Sequence, residues 1–435
     1  MAGSSRLSRW LANADARVFS AYSITAAFGT YFCMYAFRKP FTAATYEDLA
    51  YWGIGYKTIL VASQVSGYTL SKFLGIKFVS EMPAHRRAIG IVLLIATAEL
   101  ALLLFALTPP PWNLVWLFAN GLPLGMVFGL VLAYLEGRRL TEALAAGLCA
   151  SFILSSGVVK SVGSWLMQSH GVSEFWMPSV TGLMFFPLLL LFVAMLNQIP
   201  EPSEDDVALR SKRAPMRHAE RRAFFGRHLV GLCCLLGIYT LLTILRSLRD
   251  DFAVEIWRDL GYTKQPAIFT QSELAVMFGV VLINGSATFI LSNRRAFLTS
   301  LLLLSWGFLL VLLCLLGHWQ GWFPPFVFMV MIGLGTYVPY VAFHTTVFER
   351  LIAAFRESGN IGYLMYLADA VGYLGYVGVM ALRNLVSPET QFLELFLMTA
   401  LVIAGLSLLI TLILMRHYLR YLPQETPAEV LYETR

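Results

Sequence analysis

Runs of about 20 predominantly apolar residues recur from one end of this 435-residue chain to the other. No other feature constrains the fold as much. A helix rises ~1.5 Å per residue, so about 20 residues cross the ~30 Å hydrocarbon core of a bilayer. Twelve segments of this kind are legible, at about 18–46, 56–78, 88–107, 112–135, 141–166, 175–197, 228–254, 266–291, 296–317, 322–346, 360–383 and 391–416. Charged residues make up only 13% of the chain against 58% hydrophobic, whereas soluble domains carry about 25% charged residues. The predicted class is therefore an all-α polytopic membrane protein, with 12 transmembrane helices in two pseudo-symmetric six-helix bundles. The first run shows no short apolar core followed by a small-residue cleavage site, so it is expected to be retained.

The segment 198–227 divides the twelve into two sets of six. It reads IPEPSEDD and then RSKRAPMRHAERR, a charged, proline-bearing linker. The expected organisation is a cytoplasmic segment 1–17, a first bundle 18–197, the linker 198–227, a second bundle 228–416 and a tail 417–435. Residues 4–16 suggest a short surface helix. Lysine and arginine bias sets orientation. With both termini inside, the inside pieces hold most of the 32 basic residues. The outside pieces hold Lys39, Lys57, Arg249, Arg258, Lys264 and Arg383. The expected location is a bacterial inner membrane with cytoplasmic termini. The net charge of +6 reads as basic cytoplasmic loops rather than a nucleic-acid surface.

Chemistry-bearing motifs for catalysis are not legible. There is no GK[ST] phosphate loop, no nucleophile–base pair and no metal-ligand spacing, so neither an enzyme, a cofactor nor a metal is expected. Cys33, Cys149, Cys233, Cys234 and Cys314 all lie in apolar segments and read as packing residues.

What remains is a set of charges inside apolar runs, each costing about 2.5–3.5 kcal/mol on insertion scales. Tyr31, Tyr35 and Arg38 are spaced i, i+4, i+7 in the first span, and Tyr239, Thr243 and Arg246 repeat that spacing in the seventh. Helical geometry places each trio on one face. Two arginines at matching depth would repel unless an anion sits between them, and a guanidinium fork matches phosphate or carboxylate oxygens. The plainer reading is that Arg38 and Lys39 snorkel at the outer end of the first span. Lys72 in the second span allows the same two readings. Lys160 lies deeper in the fifth, and Asp369 is the one acid in the middle of the eleventh. Lys160 and Asp369 could pair, or Asp369 could load a proton. Gly121, Gly125 and Gly129, and Gly372, Gly375 and Gly378, form small-residue stripes suited to close helix packing. Glu136-Arg138 and Glu349-Arg350 read as cytoplasmic salt bridges. Glu99 and His344 receive no role.

At these residues the chain resembles the major facilitator superfamily, and within it the organophosphate:inorganic-phosphate antiporters. The resemblance rests on Tyr31, Tyr35, Arg38, Lys39 and Phe41 in the first span and Tyr68, Ser71, Lys72 and Phe73 in the second. Further along it rests on Leu245, Arg246 and Asp251, on Glu273, on Tyr337, Pro339 and Glu349, and on Gly372 to Gly375. The FRKPF-type first span is also similar to that of an uncharacterised bacterial membrane family. The resemblance implies that Arg38 and Arg246 hold a substrate phosphate and that Lys39 pairs with Asp251 and Glu273 as the halves rock. It also implies that Tyr31, Tyr35, Tyr68, Tyr337 and Tyr373 line the site. The family pattern is departed from at Pro40, directly after the Arg-Lys pair. It is departed from also at Glu81, which lies in the loop after the second span. Lys160 stands where the family keeps a cavity histidine, and Asp369 where it has a neutral residue. The functional expectation is a secondary transporter of a small organic anion, exchanged for inorganic phosphate and working as a monomer in the lipid bilayer. The alternatives are a proton-coupled carrier using Asp369 and a non-transporting receptor on the same fold.

Overall fold

The structure, a computed structural model, describes residues 5–47, 49–136, 141–202, 228–287, 292–355, 361–386 and 392–421, and positions 226 and 290. Most of the expected linker, Arg138, the side chains of Glu81 and Arg383, and residues 422–435 of the tail lie outside the described parts.

A short helix α1 (Arg6–Ala12) is capped by Ser5, whose hydroxyl accepts the Ser8 N–H at 3.0 Å. Ser5 also donates to Gln198. Helix α2 (Ala16–Met34) starts at the N-cap Asp15. The single segment expected over 18–46 is not one helix. It stops at Met34 and continues as two 3₁₀ turns, Tyr35–Phe37 and Pro40–Ala43. Pro40 is the cause: it has no N–H to offer, and its ring clashes with the carbonyl four residues back. A two-stranded hairpin follows, Ala50–Tyr51 with Ile54–Gly55. Its two-residue loop is Trp52-Gly53, both at positive φ (55° and 73°), the twist that matches a tight antiparallel pair.

Five long helices follow in the first half: α3 (Tyr56–Glu81), α4 (Arg87–Leu107), α5 (Leu114–Leu132), α6 (Thr141–His170) and α7 (Met177–Leu196). The second half contains α8 (Leu229–Asp251), a short α9 (Ala253–Asp259), α10 (Ala267–Ala287), α11 (Asn293–Trp319) and α12 (Pro325–Ala342). A wide π turn, Phe343–Val347, joins α12 to α13 (Phe348–Ala354). The described chain ends with α14 (Ile361–Val386) and α15 (Phe392–Tyr421).

Ten stretches among the described residues are long and apolar enough to cross a membrane, from Ala84–Leu107 to Phe392–Tyr421. They correspond to the third through twelfth expected segments. The first two differ for visible reasons. Helix α2 carries Arg17 and many hydroxyls and ends early, and α3 carries Lys57, Gln64 and Lys72.

Packing groups the chain into two compact units. The first gathers the described residues of Met1–Arg210, Asp251–Leu274 and Val377–Glu389; the second gathers those of Ser211–Asp250, Ala275–Tyr376 and Thr390–Arg435. Within the first unit α3 lies directly on α5. A Cβ on Gly67 would stand 2.1 Å from the Phe118 carbonyl oxygen, and one on Gly121 would stand 2.3 Å from that of Gln64. Only glycine permits that approach, the close packing that the small-residue stripe favours. In the same unit α2 packs on α6 and α7, and α4 on α5 and α7. In the second unit α11 packs against α12, α13 and α15.

Candidate functional site

The break in the first span exposes backbone groups that a helix would have satisfied. Outside regular helix, the Phe37 and Arg38 carbonyls take their hydrogen bonds from other parts of the protein, since lipid offers no donor. Two buried amides supply them. Asn120 Nδ2 of α5 donates to the Phe37 carbonyl at 3.0 Å, and Gln64 Nε2 of α3 donates to the Arg38 carbonyl at 2.8 Å. Gln64 also donates to Asn120 Oδ1 at 2.8 Å, so the two amides hold each other. A third donor, Lys57 Nζ, reaches the Thr42 carbonyl at 2.8 Å. The turn carrying Arg38 and Lys39 is therefore built from α3 and α5 rather than from its own helix.

Arg38 is 3% exposed, so it does not snorkel. Its guanidinium carbon lies 3.7 Å from the centre of the Tyr68 ring and 5.8 Å from that of Tyr35. Tyr31 meets Tyr35 edge-on at 5.6 Å and Phe128 at 5.3 Å. Lys72 is 1% exposed, which argues against snorkelling there too. Its ammonium is 5.1 Å from the Tyr68 ring centre and 5.7 Å from that of Phe128. Lys160 is buried on α6 and donates to Ser156 at 2.8 Å. Cation–π contacts are worth about 0.5–2 kcal/mol, less than the cost of a charge at mid-membrane. A guanidinium stacked on a ring keeps its N–H donors parallel to that ring, a geometry suited to a flat anion edge.

Beside this cluster, still within the first unit, a row of ion pairs joins the early helices to residues 251–274. Lys39 Nζ reaches Asp251 Oδ1 at 2.5 Å. Lys57 Nζ reaches Glu255 Oε1 at 2.7 Å. Arg258 bonds Glu47 nearer the surface. Ser161 of α6 donates to the Pro266 carbonyl at 2.6 Å and accepts from the Thr270 hydroxyl at 2.7 Å. The Glu273 side-chain carbons crowd Gly157 of α6, where a Cβ would stand 2.9 Å away. Lys57 and Arg249, which the basic-residue pattern places in outer loops, are both buried. Glu174, in the connection between α6 and α7, lies by the same network. Burial pushes its carboxyl above the ordinary glutamate value, against the pull of the Thr45 and Tyr46 backbone N–H groups and the Lys57 charge.

In the second unit Arg246 sits in the unbroken helix α8 and is also 3% exposed. Its Nη2 donates to the Tyr373 hydroxyl at 3.0 Å, and its guanidinium carbon lies 4.5 Å from the Tyr340 ring centre. Tyr239 stacks on Tyr340 at 5.6 Å and donates its hydroxyl to Asp369. His344 contacts the Tyr340 ring at 4.5 Å between ring centres. Tyr337 lies instead beside Arg249, 5.8 Å from ring centre to guanidinium carbon, and Arg249 donates to the Met329 carbonyl at 3.0 Å. Gly372 abuts Thr243, as a small-residue face would. At the end of α12's extension, Arg350 donates to Asn293 Oδ1 at 2.8 Å.

Sequence reasoning missed Gln64, Asn120, Lys57, Glu255, Tyr340 and Arg249. A signal existed for the amides: each interrupts an apolar run, as in LVASQVSG and FANGLP. Tyr340 follows Tyr337 by three residues, and either could have been chosen as the arginine's partner.

A family model describing a family of unknown function, DUF5690, matches residues 40–421. The chain belongs to this family. No curated protein sequence matches this DUF5690 chain. Among solved structures, the crystal structure of a D-xylose-proton symporter is similar to it with a TM-score of 0.60. That likeness covers 91% of this chain and 97% of the symporter, at 13% sequence identity. At that identity the likeness speaks for the fold, which is major-facilitator-like. With ten apolar helices of membrane-crossing length among its described residues, the DUF5690 chain is an integral membrane protein.

Proposed function

We propose that this DUF5690 protein is a secondary transporter of a small organic anion, with twelve spans in two six-helix halves and alternating access between them. The observation that carries this reading is a pair of buried arginines, Arg38 and Arg246. Each comes from a different half of the sequence, and each is laid on the face of a tyrosine. Buried guanidiniums that bind an anion gain charge-assisted, bidentate hydrogen bonds and lose their net charge. In this reading Arg38 and Arg246 grip the anion and Lys72 and Lys160 add positive field. Tyr31, Tyr35, Tyr68, Tyr337 and Tyr373 shape the pocket, with Tyr340 added from the geometry. A carrier whose arginines bind the anion more tightly as the site closes changes state more readily with cargo than without, which favours exchange over one-way flow. The motif resemblance supports an organophosphate exchanged for inorganic phosphate. The Lys39–Asp251 and Lys57–Glu255 pairs would lock one state and open in the other, aided by Glu273. The basic-residue bias supports an inner-membrane location with both termini in the cytoplasm, and the protein is taken as a functional monomer.

A second reading is proton-coupled transport through Asp369. It is favoured by the burial of that carboxyl and its Tyr239 bond, and by the similar fold of a D-xylose-proton symporter. Counterflow separates the two. Proteoliposomes loaded with inorganic phosphate are offered labelled sugar phosphates and carboxylates, with and without a pH gradient. Exchange that is abolished in Arg38→Ala and Arg246→Ala supports the anion carrier. Uptake that needs the gradient and dies in Asp369→Asn supports the second reading. No uptake of any anion overturns the first.

A further inference from the structure

One buried carboxyl in the first unit takes no part in the scheme above. Glu99 lies on α4 on the side that meets α7. Its Oε1 accepts the Ser179 hydroxyl at 2.6 Å. Its Oε2 is buried with no hydrogen-bond partner. That oxygen fills the space left by Gly182, where a Cβ would stand 2.3 Å from it and 3.0 Å from a Phe37 ring carbon. An unpaired buried carboxylate oxygen is strongly disfavoured in a hydrocarbon environment, while a carboxylic acid is tolerated there.

Among the described residues of the helices packed on Glu99, none carries a positive charge beside it to balance a carboxylate. Helices α5 and α7 contain no ionisable residue. On α4 the other ionisable group is Arg87, roughly 18 Å away along the axis at ~1.5 Å per residue. The turn against which Glu99 rests contributes Tyr35, Arg38 and Lys39. Arg38 is stacked on Tyr68 and Lys39 is bonded to Asp251.

We propose that Glu99 is a proton-binding site, held as the carboxylic acid with its proton on Oε2, and that proton release is tied to movement of the turn carrying Arg38. The tie is physical. Asn120 Nδ2 bonds both the Ala98 carbonyl, one residue before Glu99, and the Phe37 carbonyl, one residue before Arg38, each at 3.0 Å. Gln64 extends the link from Asn120 to the Arg38 carbonyl. To ionise, Glu99 passes its proton to water, and Oε2 must then gain a donor. The Phe37 ring borders the same space beside Gly182, and in this proposal it moves aside to admit water, taking with it the Asn120 bond and the backbone of Arg38. The ligand of the site is the proton itself. The linkage to Arg38 rests on the transport reading above, whereas the proton site does not.

Infrared spectra of the purified protein in lipid vesicles test the site. The expected result is a C=O stretching band of a protonated carboxyl at neutral pH. It should be lost in Glu99→Gln, kept in Asp369→Asn, and moved to higher wavenumber in Ser179→Ala, because a donated hydrogen bond lowers the carbonyl frequency. A wild type with no such band, a Glu99→Gln spectrum from which no wild-type carboxyl band is missing, or a Glu99 band indifferent to Ser179→Ala overturns the proton site. The linkage is read from anion exchange against pH. The wild-type rate should change with pH by several-fold and Glu99→Gln should flatten the profile; an unchanged slope overturns the linkage. Absence of all exchange with the band still assigned to Glu99 removes the transport reading and leaves the proton site supported.

Discussion

Arg38 and Arg246 are alike in sequence context, in burial and in lying against a tyrosine ring, yet they are held by opposite means. Arg246 belongs to a continuous helix, and its partners are side chains: the Tyr373 hydroxyl and the Tyr340 ring. Arg38 lies beyond the end of α2, in backbone that Pro40 has forced out of helical geometry, and its main chain is fixed by Gln64 and Asn120. The second arginine is positioned by regular structure, the first by tertiary contacts. The lesson is that a repeated sequence pattern does not imply a repeated mechanical environment. The main chain at Arg38 can be disturbed through the side chains of Gln64 and Asn120, whereas the main chain at Arg246 is held by its own helix.

The sharpest way to break the comparison is to remove the ion partner next to Arg38. Asp251→Asn leaves the buried Lys39 ammonium without its carboxylate, a change that costs about 3–5 kcal/mol when a buried pair loses one member. Thermal unfolding in detergent should show the largest loss of the series, and Lys39→Met with Asp251→Leu together should recover most of it. A destabilisation no greater than that of a surface substitution would remove the pair from any structural role.

Next come the arginines themselves. Arg38→Lys and Arg246→Lys keep the charge but lose the planar fork, and lysine stacks poorly on a ring. Losing one charge-assisted hydrogen bond costs about 1.5–3 kcal/mol, so exchange measured by counterflow should fall about ten- to hundredfold. Arg38→Lys should lose more, because Arg38 lies 3.7 Å over the Tyr68 ring centre, while Arg246 bonds a hydroxyl that an ammonium can also reach. Equal losses would erase the proposed distinction.

A smaller effect follows from the amides. Asn120→Leu leaves the Phe37 carbonyl without its amide donor, and Gln64→Leu does the same for Arg38, each costing about 1–3 kcal/mol. Thr243→Val in α8 gives up only a hydroxyl bonded within its own helix and should cost far less. Melting curves of the three variants rank the two regions directly.

The smallest expected effect is on pH dependence. The Glu174 carboxyl is raised by burial, so the folded state holds a proton that the unfolded chain releases earlier. Its contribution is present below the ordinary carboxylate range and is lost as pH rises through the raised value. Glu174→Gln should flatten the stability profile over that window, measured by thermal unfolding at a series of pH values. A steeper profile in the variant would reverse the assigned direction.

Much of the architecture was legible in the sequence because lipid imposes simple rules: long apolar runs and charges kept rare. The same rules drew attention to Arg38, Lys72, Lys160, Arg246 and Asp369, all of which are buried. What could not be read was the direction each side chain takes once the helices meet. Tyr337 and Tyr340 differ by three positions, and packing alone assigns the second to Arg246 and the first to Arg249. Lys57 looked like a loop charge because it begins a helix, yet its partners Thr42 and Glu255 arrive from remote parts of the chain. The role of Gln64 and Asn120 was hidden for a different reason. Their function is to satisfy main-chain carbonyls, and a proline signals that such carbonyls exist without saying which neighbour will serve them.

The backbone contact between α3 and α5 has a mechanical consequence. At Gly67 and Gly121 the two main chains touch with no side-chain layer to act as a bearing, so neither helix can slide or roll on the other without collision. They must travel as one stiff plate. The proline-broken turn Tyr35–Ala43, bonded to this plate through Gln64, Asn120 and Lys57, is carried with it.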